Sequence, residues 1–360
     1  MTTPPPLDKR VATMKAGVLR GPADLAVERV PLPAVAPGSV LVKVRACAVC
    51  GSDLRIYLDG NPRITGPRVL GHEISGEVAA VGKGVRNFRP GDRVAIGADI
   101  PCGACVHCKA GRANCCEVNL AMGYQLDGGF AQYVLLPPLV VKLGPIQKFG
   151  AALGFDAAAL AEPLACCLNG YERGLMEPGR RVVVFGAGPI GSMLSALGKF
   201  LGAESVIVIE PSPERRRWAA AFKPDVVIDP AEGDVVRRVM DLTGGAGGDM
   251  IFTACPVVET HEAAVAMVAR RGVVNFFGGL PKNAPPIRVS SNHLHYREAT
   301  VTGSHGSTPE QHRKALRLIE SGEIDVKALI THRFALDSLK DALATAGSRK
   351  GMKIVVNPNG

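Results

Sequence analysis

Residues 181–191 read Arg181-Val-Val-Val-Phe185-Gly186-Ala-Gly188-Pro189-Ile190-Gly191 and continue into a helical stretch through Leu201. An apolar β-branched run, a Gly-x-Gly-x-x-Gly turn and a helix, in that order, form the opening unit of a dinucleotide-binding fold. An isolated pattern of this kind is weak evidence, but this one lies between a predicted strand and a predicted helix, which is the context it needs. Gly186 permits the tight turn, Gly188 lets the backbone approach a pyrophosphate, and Gly191 allows close helix packing, with Pro189 and Ile190 between them. Ser205-Val-Ile-Val-Ile-Glu210 is the next strand. Its terminal Glu210, 19 residues after Gly191, stands where an acid binds a ribose 2′-hydroxyl. That favours NAD, because the 2′-phosphate of NADP would meet a like charge, while Arg215 nearby keeps NADP open.

Downstream, strand candidates recur at 226–228, 249–253, 272–277 and 299–303, with helical patterns between most of them. Such alternation predicts a doubly wound parallel sheet covered by helices. Upstream the pattern is different. Residues 14–45 and 69–97 alternate apolar and polar positions between Pro and Gly turns, which predicts short strands closing into an all-β, barrel-like part. After residue 305 the chain mixes helix and strand and is expected to return to that first part. The resulting division is a leader over 1–13, a barrel domain over 14–159 and 306–360, and a cofactor domain over 160–305.

The 360 residues suffice for two full cores. A hydrophobic share of 47% and a charged share of 21% fit a water-soluble globular chain. No apolar run reaches the roughly 18 residues of a membrane span. The start lacks the charged-then-apolar pattern of a secretion signal, so a cytoplasmic location is expected. The net charge of +9 is scattered, with no basic stripe interleaved with aromatics, which argues against nucleic acid. Ten cysteines in so long a chain point to reduced thiols and metal rather than disulfides.

Four of them, Cys102, Cys105, Cys108 and Cys116, follow C-x2-C-x2-C-x7-C within a lobe at about 99–117. Four thiolates so spaced can enclose one structural zinc tetrahedrally. Cys115 competes for the fourth place, for which Cys116 is preferred. Elsewhere Cys50, His72 and Glu73 offer a thiolate, an imidazole and a carboxylate from separate segments, a set that suits a second zinc with an open coordination position. Read alone, the His-Glu pair is an ordinary feature; the other motifs give it weight.

Cys50-Gly-Ser-Asp53, Gly71-His-Glu73, the cysteine lobe, Ala161-Glu-Pro-Leu164 and the Gly-rich turn occur in that order, and over residues 14–357 the chain resembles the zinc-dependent medium-chain dehydrogenases. Glu162-Pro-Leu is similar to the polyol, sorbitol-type branch, where alcohol dehydrogenases carry a cysteine. The resemblance implies a GroES-like β-barrel catalytic domain joined to a Rossmann domain, two zinc ions per chain, NAD, and a homodimer or homotetramer. It implies that Cys50 and His72 ligate the catalytic zinc, with Glu73 and Glu162 supplying oxygen in an order left open. Asp53 would orient His72, Ser52 would begin a proton relay, and Arg297 would approach the site.

The reaction implied is oxidation of a secondary alcohol by hydride transfer from its zinc-held alkoxide to NAD, the substrate a polyol or cyclitol. Glu162 in place of a thiolate hardens the site and suits a substrate offering two oxygens. L-threonine 3-dehydrogenase-like and sugar-alcohol-phosphate activities are alternatives, and a non-catalytic dinucleotide-binding relic is a distant one. One departure stands out: Arg55 occupies the position where the family often has a relay histidine, and an arginine does not shuttle protons near neutrality. Tyr57 is a pocket or core candidate. His107, His293, His295 and His305 carry weaker expectations, and Cys166 and Cys167 read as core.

Overall fold

A computed structural model of the protein describes residues 12–360. Most of the expected leader lies outside the described residues, and the first strand, Thr13–Gly21, begins inside its last position. The chain divides into two compact units, one formed by residues up to Ala165 together with Gly306–Gly360, the other by Cys166–His305.

The first unit is the β part. Its larger sheet is built around Val40–Ala48, which pairs antiparallel with Glu73–Val81, Tyr133–Leu136 and the C-terminal strand Lys353–Asn357. Thr13–Gly21, Asp24–Pro31 and Arg68–Val69 form a second, three-stranded sheet. One apolar core, including Val42, Val44, Ile74, Val94, Ile96, Phe130 and Ile354, fills the space inside. The alternation seen in the sequence survives only in part, since the central strand Val40–Ala48 is buried at every position but Lys43 and Arg45, as a strand covered on both faces is. Lys353 is the charged exception in a last strand buried at all but its final residue, itself only 4% exposed.

The second unit is a six-stranded sheet in which every pairing is parallel. Counted from Arg181–Phe185 as the first strand, the spatial order is 3-2-1-4-5-6, that of a dinucleotide-binding fold. Val182, Val183 and Val184 are wholly buried, as a strand covered on both faces requires. Thr300–Gly303 lies at one edge of the sheet.

The structure places the first crossing between units later than the sequence does, between Ala165 and Cys166 rather than between 159 and 160. It falls inside the helix Ala161–Arg173, whose periodicity has no break to mark it. The first turn of that helix carries Glu162, whose charged neighbours His72, Glu73 and Asp99 all belong to the first unit. No helix among the described residues is long and apolar enough to cross a membrane.

Candidate metal centres and cofactor turn

The lobe residues Cys102, Cys105, Cys108 and Cys116 come together with all four sulfurs within 4.8 Å of one another. Cys102 and Cys108 sulfurs are 3.9 Å apart and those of Cys105 and Cys116 4.0 Å. A tetrahedron with zinc–sulfur bonds of about 2.3 Å has edges of about 3.8 Å, so the cradle fits zinc. A disulfide would need about 2.05 Å, and all ten cysteines are free. Backbone amides point at the sulfurs: Cys102 N donates to Cys116 Sγ, and Ala104 N and Cys105 N donate to Cys102 Sγ. Amides of Cys108 and Glu117 bring the Cys105 thiol down to about 6. Burial, reinforced by neighbouring thiols, pushes Cys108 up to about 12. Burial opposes a charged Cys116, but the amides of Asn119, Cys102 and Val118 outweigh it and lower that thiol as well, so Cys108 is the thiol that a cation must deprotonate. Cys115 is exposed and outside the group; His107, half-buried, is also outside it.

The second constellation joins Cys50, His72 and Glu73, again within 4.8 Å. Cys50 is the N-cap of the helix Gly51–Asp59, and Asp53, three residues on, returns a carboxylate oxygen to the Cys50 amide at 2.9 Å. The other Asp53 oxygen lies 3.3 Å from both His72 Nδ1 and the Gly71 amide. Capping therefore locks the turn that carries Cys50 and aims one imidazole edge at a fixed anion. Nδ1 forms no aligned hydrogen bond even so. Burial opposes a charged His72, but Asp53 and then Cys50 outweigh it and hold the imidazole well above its ordinary pKa. Metal binding there must expel that proton. Ser52 Oγ is 3.4 Å from His72 Nε2.

Glu73 is wholly buried, and both its oxygens meet the Lys353 ammonium. Burial works to discharge Lys353, while Glu73 keeps it protonated. Lys353 escaped the sequence reading. Its only signal was a charge at an inward position of an apolar strand. Glu162 is 6% exposed and lies outside the 4.8 Å group. Burial pushes its carboxyl up to about 7, with His72 opposing and Glu73 and Asp99 adding to the rise. Of the two expected oxygen donors, the structure therefore brings Glu73 into reach, already paired, and keeps Glu162 at one remove with its proton loosely held.

Tyr124 is a further residue missed from sequence. Its ring centroid is 5.9 Å from that of His72, and the Arg63 guanidinium lies 4.8 Å from the Tyr124 ring. Arg55 is exposed on the helix that carries Ser52, and makes no ion pair among the described residues. Tyr57 shares that helix and packs against the barrel core.

In the second unit, Gly186 has φ 98°, which only glycine adopts freely, and a Cβ on Gly191 would sit 1.8 Å from the Gly186 carbonyl oxygen. Gly188 caps the helix Pro189–Phe200 without any side-chain hydrogen bond. The first amides of a 12-residue helix are thus left for an anion, and the turn fits a dinucleotide pyrophosphate. Both oxygens of Glu210 are engaged, one by Ala187 N at 2.7 Å inside the turn, the other by Ser212 N at 2.9 Å. A carboxylate has lone pairs to spare for ribose hydroxyls, but its first task is to brace the turn. An Arg215 terminal nitrogen lies 3.5 Å from where a Gly188 Cβ would be. Arg297 spends one guanidinium nitrogen on the Val268 carbonyl at 3.0 Å. His293 and His295 share its helix, His305 gives its carbonyl to Asn169, and Cys167 is wholly buried beside Ile190.

Comparison with known proteins agrees with this geometry. Residues 36–145 match the family Alcohol dehydrogenase GroES-like domain, and residues 189–321 match the family Zinc-binding dehydrogenase. The chain is 32% identical over 354 residues to sorbitol dehydrogenase of Bacillus subtilis, covering 96% of this chain and 98% of that protein. It is 35% identical over 357 residues to L-threonine 3-dehydrogenase of Pyrococcus furiosus, covering 97% and 98%. Among solved structures, a zinc-binding dehydrogenase of Sinorhizobium meliloti bound to NADP superposes with a TM-score of 0.90 at 32% identity, covering 96% of this chain and 99% of that one. With its thiol cradle, its Cys-His-Glu constellation and its 3-2-1-4-5-6 sheet, the chain belongs to the zinc-dependent medium-chain dehydrogenases, NAD(P)-dependent oxidoreductases, and within them to the polyol branch.

Proposed function

We propose that the protein oxidises a secondary alcohol of a polyol or cyclitol reversibly to the ketone, with NAD as hydride acceptor. The observation that carries this reading is the buried Glu162, whose charged neighbours include His72 and Glu73 and which adds a second carboxylate next to that group. Cys50 and His72, with oxygen from Glu73 or Glu162, hold the catalytic zinc, and Cys102, Cys105, Cys108 and Cys116 hold the structural one. When bound, the catalytic zinc supplies a Lewis acid that lowers the pKa of the substrate hydroxyl. Asp53 fixes the His72 ring. Ser52 takes the hydroxyl proton and passes it by way of the cofactor ribose and water to solvent, while the hydride goes to NAD. Arg55 stays charged throughout and takes no part in that transfer. Gly186, Gly188, Pro189, Ile190 and Gly191 cradle the pyrophosphate, Glu210 takes the ribose hydroxyls, and Arg215 decides how far NADP is tolerated.

A second reading, a substrate bearing a carboxylate such as a 3-hydroxy amino acid, is favoured by Arg55, an unpaired cation one helical turn from Ser52. The similarity to L-threonine 3-dehydrogenase points the same way. NADH formation by the zinc-replete protein on polyols, inositols and threonine, with NAD and NADP in parallel, separates the two. Turnover of polyols with NAD that disappears in Glu162→Ala supports the first reading; turnover of threonine alone overturns it. The exposed edge strand Thr300–Gly303 is the proposed contact of a homodimer or homotetramer, tested by light scattering. Ten free cysteines suit a reducing, cytoplasmic setting.

A further inference from the structure

A cavity of about 540 Å³ opens in the first unit, lined among others by Arg45, Phe155, Asp156, Lys327, Arg333 and Asn357. None of these has a part in the metal constellations. Arg45 and Lys327 make no ion pair among the described residues. The Arg45 guanidinium rests 5.5 Å from the centroid of the Phe155 ring, and Lys327 is exposed. Arg333 gives only its Nε, at 2.6 Å, to Asp156 Oδ2, which leaves both terminal nitrogens for another acceptor. The remaining Asp156 oxygen accepts Asn357 Nδ2 at 3.0 Å. The one carboxylate side chain of the lining is thus used up within the wall, against three cationic side chains.

Surface cations on a convex face are simply solvated. Here they converge on one concavity from two regions far apart in the chain, Val40–Ala48 on one side and the consecutive turn Lys327–Leu329 and strand Ile330–Ala335 on the other. A concave site rich in unmatched guanidinium and ammonium groups, with a phenyl ring in its wall, has the chemistry to hold an anionic head and an apolar body together. We propose that this cavity binds an organic anion, a carboxylate or phosphate carried on an apolar body, separately from the alcohol substrate.

The elements around the cavity also reach the catalytic constellation. Five residues lead from Arg45 to Cys50, and six from Asp156 to Glu162. Asn357 and Lys353 are the two ends of one strand. The Phe155 carbonyl accepts Ser75 Oγ at 2.6 Å, two residues from Glu73. An occupant would therefore rest on the same scaffold that positions the metal donors.

Titration calorimetry on the zinc-loaded full chain tests the site with phenyl phosphate and benzoate as anions and benzamide as the neutral match. At least one anion is expected to saturate a single site, with benzamide binding at least about tenfold more weakly and with affinity falling as salt rises. Arg45→Gln with Lys327→Gln is expected to cost at least about tenfold in anion affinity while alcohol oxidation continues at the wild-type rate, which shows the variant folded. Lys327→Gln alone, at an exposed position, should cost a few-fold. Binding unchanged in the double variant, equal binding of benzamide, or no saturable binding of either anion at millimolar concentration would each overturn the proposal.

Discussion

The two donor clusters each gather their ligand atoms within 4.8 Å but come from opposite kinds of chain. In the lobe, four thiols arise within 15 residues, and the lobe's own amides hold the sulfurs in place. In the other cluster, Cys50 and the His72-Glu73 pair stand 22 residues apart, and the counter-charge of Glu73 is Lys353, 280 positions away. The lobe is a self-contained clip that needs only a cation to close it. The Cys50 cluster is assembled by the whole barrel, and it keeps ionisable groups, Asp53, His72, Glu73, Glu162 and Lys353, in an interior that disfavours charge. A metal in the first should therefore act on stability, and a metal in the second on chemistry.

The largest expected effect tests that division at the chemical end. Cys50→Ser should lower kcat/KM by at least about 10³-fold, since it removes a proposed ligand of the group that would stabilise developing charge. The unfolding midpoint should move little. Metal analysis should show one zinc per chain instead of two. If turnover survives within tenfold, the Cys50 cluster is not the reaction centre. Cys116→Ser is the opposite case. It should also leave one zinc, but it should destabilise the first unit by about 3–4 kcal/mol in urea unfolding, with a rate changed only a few-fold while folded. Equal losses of rate in both variants would erase the distinction between the clusters.

Lys353 shows how unlike the two clusters are in their dependence on distant sequence. Lys353→Met leaves the Glu73 carboxylate buried without a partner and should cost about 3 kcal/mol of stability at pH 8. Adding Glu73→Gln should return most of that, and the recovery in a double-mutant cycle measures the coupling. No recovery would mean that Lys353 matters through packing rather than through Glu73.

Legibility from sequence followed the same line. The grouping of the lobe sulfurs, Cys116 rather than Cys115, was legible because it is a matter of local spacing. The parallel sheet and the Gly-rich turn were legible for the same reason, each being a strand, a turn and a helix in succession. What Glu210 does within the protein was not legible: the acid at the strand end turns back to accept Ala187 N, a bond that no spacing rule announces. The partners of Lys353 and Tyr124 were not legible, because they are brought together only when the barrel closes. The crossing at Ala165 was misplaced by a few residues because helix periodicity runs straight through it.

The smallest effect separates the clusters by pH. Burial lifts the Glu162 carboxyl from 4.5 to about 7 in the folded protein. Between those values the folded chain holds a proton that the unfolded chain has released, so stability contributed here is fullest below pH 4.5 and is lost as pH rises to about 7. Metal-free Glu162→Gln cannot release that proton. It should match the metal-free wild type at pH 4.5 and exceed it by about 2 kcal/mol at pH 8, measured by urea unfolding at the two pH values. Adding zinc should shrink the difference, because a cation beside the carboxylate favours its charged form and lowers its pKa. In Cys50→Ser, with that cation gone, the full difference should persist in zinc; in Cys116→Ser it should shrink as in the wild type. A zinc response that instead vanishes with Cys116 would assign the effect to the lobe and remove Glu162 from the catalytic constellation.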